Sequence, residues 1–416
     1  MRRAIVVALP LTLFALPSAG FAQNEPPPSP ADRYRSEYEP VGGRIGSIML
    51  HPTAEARIEY NDNTLALPQG GPDDIILTAR AEIDAKTLWK RHQLEANAYA
   101  QQSVYSKSTT EDALEGGAKI SGIYDISRTA TFRGSLASDF LAENRVSITN
   151  FGQARKPTRY SQISAGGNFS YHAGHFSVNT DLQAQRLDFQ DATGADGLPI
   201  DQDYRDSMYL RGSVTAAYDV SPRLAVLVRS QIDRLAYTHD ETAPDALDRD
   251  STGYAVEGGV RLDLSNLITG EVRAGYLRRK ADDARIPDAS GLSFGANLRW
   301  DITPLTTIRF FADRQIEEGG SALNAGNLRS QGRLTIEHEL LRNLVLEADA
   351  RAAQVKAVGE IHAKADEIDL RFGATYLVNR RWRIFGSVRH FDRSSNDNFY
   401  RTFKQNQVTM GLRAAF

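Results

Sequence analysis

QVTMGLRAAF (residues 407–416) alternates in polarity: Val408, Met410, Leu412, Ala414 and Phe416 fall on one face of an extended strand, and Gln407, Thr409, Gly411 and Arg413 on the other. Such a strand needs two environments. A soluble sandwich offers a core and water, a transmembrane barrel offers lipid and a polar lumen, so this segment alone leaves both open.

The segments upstream decide between them. In NLVLEADARA (343–352), Leu344, Leu346, Ala348 and Ala350 alternate with Glu347, Asp349 and Arg351. RLAVLVRSQID (223–233) sets Val226, Val228 and Ile232 against Arg229, Gln231 and Asp233; TIRFFADR (307–314) sets Ile308 and Phe310 against Arg309 and Asp313. EIDLRFGATYLV (367–378) repeats the pattern, with full charges in mid-strand.

The connections sort by parity. Short ones, such as YHAGHF (171–176), YDVSPRLAV (218–226), DITPLTT (301–307) and LLRNLVL (340–346), carry tight-turn residues. Between them come long polar ones, such as LDFQDATGADGLPIDQDYRDS (187–207) and THDETAPDALDRDS (238–251). A sandwich has no reason to sort its loops this way, whereas an outer-membrane barrel has short periplasmic turns and long extracellular loops. Nine long loops and eight short turns predict an all-β fold: a closed antiparallel transmembrane β-barrel of about 18 strands, with 16 the other even count. The final strand is expected to pair with the first and close the cylinder, leaving no edge in lipid.

Aromatic residues support the same reading. Trp89, Tyr124, Tyr171, Tyr218, Trp300 and Tyr376 lie near short turns on the apolar register, and Tyr60, Tyr105, Phe140, Tyr237 and Tyr276 near long loops, as two interfacial girdles require.

The bulk numbers are compatible with this and narrow the class. The 416 residues are 41% hydrophobic with a net charge of -3; mean hydropathy is -0.41. A barrel spreads its apolar residues thinly, and after the leader no run approaches the roughly 18 apolar residues of a spanning helix. The near-neutral charge argues against nucleic acid as a partner. With no cysteine, disulfides, thiolate metal sites and an N-terminal lipid anchor are excluded.

MRRAIVVALPLTLFALPSAGFAQ (1–23) reads as a Sec signal peptide of residues 1–22, with Gly20 and Ala22 at the cleavage positions. Residues 23–47, containing NEPPPSPADRYRSEYEP (24–40), read as a Pro-rich periplasmic tail that acts as a spacer or a partner-binding arm, and 48–416 as the barrel.

YRSEYEPVGGRIGSIMLHPTAEARIEYNDNTLA (34–66) and TLWKRHQLEANAYAQQSVYSKSTTED (87–112) resemble the β-barrel porin 2 family of proteobacterial outer-membrane proteins. The resemblance implies an exported barrel and, because members occur beside exopolysaccharide genes, a conduit for polysaccharide export working with periplasmic export proteins. It implies no catalytic residues. Val408, Met410, Leu412, Ala414 and Phe416 also resemble the C-terminal signal read by the outer-membrane assembly machinery. Lipid and lipopolysaccharide are the partners expected around the wall.

If the polar register is the lumen, it is lined by Arg229, Asp233, Glu271, Arg273, Arg309, Asp313, Glu347, Asp349, Arg351, Arg383, Arg389 and Arg413. Such rows either bind anions or sugar hydroxyls in passage or form an ion-paired lattice. Luminal aromatics are few, with Tyr99, Phe311 and Phe385 the candidates, which argues against a sugar-stacking slide. No cofactor is expected, and no enzyme: His338 and His390 fall on the lipid register, His92, His172 and His175 at short turns, His51 before the first strand, and His239 and His362 in outer loops. Two NDN copies, 61–63 and 396–398, are candidate Ca²⁺ loops but lack full calcium-loop spacing and read first as Asx turns, leaving no metal site assigned. The function expected is an outer-membrane channel serving as an exit pore for exopolysaccharide. The alternatives are a general diffusion porin, an outer-membrane enzyme, and a plugged receptor or structural barrel.

Overall fold

The computed structural model of the chain describes residues 28–150, 154–194, 196–238, 248–264, 267–317, 326–358, 362–396 and 398–416. The expected signal peptide, His239 and Asp397 lie outside the described residues.

Eighteen long strands form the barrel. They are β1 (Ile48–Asn61), β2 (Asp74–Thr87), β3 (Gln93–Tyr105), β4 (Ala113–Asp125), β5 (Ala130–Ala142), β6 (Arg159–Ala173), β7 (Phe176–Phe189), β8 (Ser207–Ser221) and β9 (Leu224–Tyr237). The second half comprises β10 (Ser251–Leu264), β11 (Ile268–Ala281), β12 (Ala289–Thr303), β13 (Thr306–Glu317), β14 (Gly326–Leu341), β15 (Leu344–Val358), β16 (Lys364–Leu377), β17 (Trp382–Ser395) and β18 (Phe403–Ala415). Each pairs antiparallel with its sequence neighbours. The ring closes where Thr53–Asn61 pairs with Gln407–Ala415. Pro52, which has no N–H to give, sits just beyond this seam, and its carbonyl accepts the Phe416 amide at 3.1 Å.

The strands hold the expected faces. Val226, Val228 and Ile232 are 45–58% exposed on the outer wall, while Leu227 and Asp233 on the opposite face are buried. In a water-soluble protein so much exposed aliphatic surface would drive aggregation; in lipid it is the solvated face. Trp89, Tyr124, Tyr171, Tyr218, Trp300 and Tyr376 are all exposed near the short-turn end, joined by Trp382, which the sequence reading did not single out. Val408, Met410, Leu412 and Phe416 also face outward, whereas Ala414, in register between Trp382 and Ala54, is covered.

Short turns are built from local chemistry. Pro222-Arg223 and Pro304-Leu305 put proline at the first turn corner, and bulges at Asp219/Ser221 and Asp301/Thr303 adjust the strands beside them. The Gly174-His175 turn takes φ +60° at Gly174, a conformation open to glycine at little cost.

Two aromatic expectations fail. Tyr105 shares the inward register of β3 with Tyr99 and Ser103, and Tyr237 is 5% exposed beneath the loops, its ring 4.0 Å from the Arg249 guanidinium. An aromatic at a strand's outer end looks like a girdle residue in sequence, but both serve the packing of the loops.

Candidate functional site

The lumen is the one surface where polar groups from every strand converge. Arg229 and Asp233 (β9), Glu271 and Arg273 (β11), Arg309 and Asp313 (β13), Glu347, Asp349 and Arg351 (β15), Arg383 and Arg389 (β17) and Arg413 (β18) stand on the face opposite the exposed apolar one. Tyr99, Phe311 and Phe385 share it, and the Phe385 ring lies where a Cβ on Gly411 would collide with it.

Most of these charges are paired. Arg279 holds Asp233 with contacts of 2.5 and 2.9 Å. Arg273 bridges Glu257 and Glu271 at 2.9 and 3.0 Å, and Arg389 takes Asp369 in a two-point contact at 2.7 and 2.8 Å. Arg333 reaches Asp349 at 2.6 Å and Arg413 reaches Glu55 at 2.5 Å. Gly253 makes the first of these possible, since a Cβ there would lie 2.0 Å from the Asp233 carboxylate. The wall is uneven around its circumference. From β3 to β7 it presents many neutral groups, Asn97, Gln101, Ser135, Ser164, Asn179 and Gln183 among them, whereas from β8 onward arginine and carboxylate dominate.

The register also sets arginine directly against arginine. Arg299 faces Arg309, Arg333 faces Arg351, Arg371 faces Arg389, and Arg383 faces Arg413. Like charges in such positions repel. In each pair one member is held by a close carboxylate, namely Asp301, Asp349, Asp369 or Glu55. Arg371 makes no hydrogen bond or ion pair with the described residues, and Arg351 is no nearer than 3.6 Å to Glu367 and 3.8 Å to Asp369.

The outer end of the lumen is narrowed by the chain itself. The loop after β5 folds into the barrel and reaches the wall formed by β15–β18. Its base is fixed by two buried ion pairs, Arg145–Glu111 and Arg205–Glu143, at 2.8 and 2.7 Å. Its tip is apolar: Val146 packs with Ala66, Phe391 and Phe403, and Ile148 with Val355, Ala363, Ala365 and Tyr400. Under it lies a fully buried network in which Glu367 accepts from Arg329 at 2.6 Å and from Arg393 at 2.6 and 2.9 Å, while Arg393 also donates to the Val146 carbonyl at 2.6 Å. Buried charges survive only when paired in this way.

At the periplasmic end, residues 28–41 are docked, where the sequence suggested a spacer or arm. The Ala31 amide donates to Glu337 at 3.1 Å, and Arg33 and Arg35 both donate to Glu339 at 2.8 Å. Asp32 and Glu39 stand 3.8 Å from Arg309 and Arg383, and Arg309 also contacts Glu337. Ser29 and Arg35 are buried. Composition missed this because each partner lies some 300 residues away in sequence.

The histidines form no acid–base constellation among the described residues. His338 and His390 face outward, bonded to Thr306 and Asn406 at 2.9 and 2.7 Å. In the first NDN copy the oxygens are already engaged: Asn61 accepts the Asn63 amide, Asn63 the Leu67 amide, and Asp62 both nitrogens of Asn406. The sequence reading did not single out Asp191, Asp201 and Asp203, three exposed carboxylates close together in an outer loop, where Asp201 pushes the Asp203 carboxyl above its usual range.

Solved structures of similar shape are distant in sequence. The copper transporter OprC is 9% identical over 90% of this chain and 81% of its own, with a TM-score of 0.49. The Pseudomonas aeruginosa outer membrane protein OpdK is 10% identical over 88% and 99%, at 0.46, and the Acinetobacter baumannii siderophore receptor PiuA is 8% identical over 90% and 82%, at 0.46. No curated protein matches the chain in sequence. Residues 35–416 match the family described as "Putative beta-barrel porin 2", and the chain is therefore a member of that family of outer-membrane β-barrel proteins.

Proposed function

We propose that this barrel is a passive channel that carries polar cargo across the outer membrane, and that its cargo is an exopolysaccharide leaving the cell. One observation carries the reading: between the infolded loop and the docked N-terminal segment, charged and amide side chains from many strands face the lumen, and few aromatic rings stand among them. An apolar cargo would need an apolar or aromatic lining. Residues 1–22 direct export through the Sec pathway, and periplasmic export proteins deliver the polymer to the mouth. The reading assigns no catalytic role and no cofactor.

The loop carrying Val146 and Ile148 favours a second reading, a general diffusion porin for small hydrophilic solutes, since a fixed constriction limits a polymer more than a small molecule. Single-channel recording of the folded protein in a planar bilayer tests both. A steady current that neutral or charged polysaccharide interrupts supports polymer passage. Steady current indifferent to every polysaccharide supports the diffusion porin, and no current from folded barrels overturns the channel reading.

A further inference from the structure

The four opposed arginine pairs raise the question of what offsets their repulsion. Close carboxylates hold Arg413, Arg299, Arg389 and Arg333, and Glu337 of the wall also contacts Arg309. The other members, Arg383, Arg309, Arg371 and Arg351, run along the β13–β17 side of the lumen from the periplasmic mouth toward the constriction. At the mouth, carboxylates that are not part of the wall approach two of them: Asp32 stands 3.8 Å from Arg309 and Glu39 3.8 Å from Arg383. Higher up, Arg371 has no such partner and Arg351 only distant ones.

We infer that these four arginines form a binding path for an acidic polysaccharide, a chain of sugars bearing carboxylates, and that Asp32 and Glu39 occupy its periplasmic end as internal stand-ins for the cargo's carboxylates. This deepens the channel reading and rests on it. A guanidinium offers paired N–H donors that match a carboxylate, which a neutral sugar cannot exploit as strongly. Several weak, evenly placed contacts also suit a conduit better than one tight site, because cargo must both enter and leave. The docked segment then competes with cargo at the entrance, and an arriving acidic chain displaces its carboxylates from Arg309 and Arg383.

The test is block of single-channel current by oligogalacturonate, compared with neutral dextran of equal length. Oligogalacturonate is expected to block at about tenfold lower concentration, the equivalent of one charge-assisted hydrogen bond. Arg371→Gln and Arg351→Gln should each weaken that block by a larger factor than they change block by dextran. The double variant Asp32→Asn, Glu39→Gln should strengthen it, a gain that misfolding cannot imitate. Equal block by both polymers in the native protein, or no change in any variant whose heat-induced gel shift shows a folded barrel, would overturn the inference and leave the channel reading standing. Absence of current would remove the channel reading itself.

Discussion

The two ends of the lumen are narrowed by the same chain with different chemistry. At the outer end the β5–β6 loop is held by burial: Val146 and Ile148 sit in apolar clusters above the dry network of Glu367, Arg329 and Arg393. At the periplasmic end residues 28–41 are held by ion pairs and hydrogen bonds, with Arg35 buried, Arg33 part-exposed and Tyr34 and Val41 open to solvent. Apolar burial is little affected by salt or by competing ions, whereas ion pairs at a wet rim are weakened by both. The outer contact is therefore a fixture and the inner one an exchangeable latch.

The contrast can be broken most sharply at Glu367. Glu367→Ala leaves the buried Arg393 guanidinium without its carboxylate, while Arg329 keeps Glu317, and should cost about 3–5 kcal/mol, read as a lowered midpoint of denaturant unfolding in detergent. A loss below about 1 kcal/mol would mean that water reaches this network and that the outer end is no drier than the inner one.

A smaller effect is expected at the latch. Arg33→Ala with Arg35→Ala removes the donors to Glu339 and should weaken docking by about 1–3 kcal/mol. Limited proteolysis would show it as faster cleavage within residues 28–41. Raising salt to about 1 M, where screening acts within roughly 3 Å, should mimic the double variant and leave the loop at 143–150 protected. Equal release of both segments by salt would erase the distinction.

The smallest effect concerns a contact within an outer loop, which sharpens the scale at its weak end. In the loop before β12, hydrogen bonds from the Arg285 side chain and backbone hold the Asp283 carboxyl well below its ordinary range. A depressed folded-state value means that the contact contributes above the ordinary pKa, near 4, and is lost as pH falls through the depressed one. Amide exchange at Arg285, corrected for its intrinsic pH dependence, should accelerate below about pH 4 without any change in barrel stability.

Period-two alternation was enough to place the luminal and lipid faces, because lipid and lumen impose opposite demands on successive residues of every strand. Segments such as NLVLEADARA carry that demand in each position. It was not enough for residues 28–41 or 143–150, which have no period and whose partners lie far along the chain. Tyr105 and Tyr237 were misassigned for a related reason: alternation weakens at strand ends, where a ring can serve headgroups or a loop with equal local logic. The arginine oppositions were out of reach as well, since they depend on which strand lies beside which and by how many residues.

The seam between β1 and β18 has a consequence for how the barrel is made. Thr53–Asn61 and Gln407–Ala415 are neighbours in space and nearly the whole chain apart in sequence. Until the final strand arrives, β1 keeps an open edge and the ring cannot seal, whatever the hairpins between have done. Loop closure over so long a contour is slow, and exposed strand edges are templates for aggregation while it is pending. Sealing this nine-residue seam is therefore a step the chain can complete only after its last strand has been made.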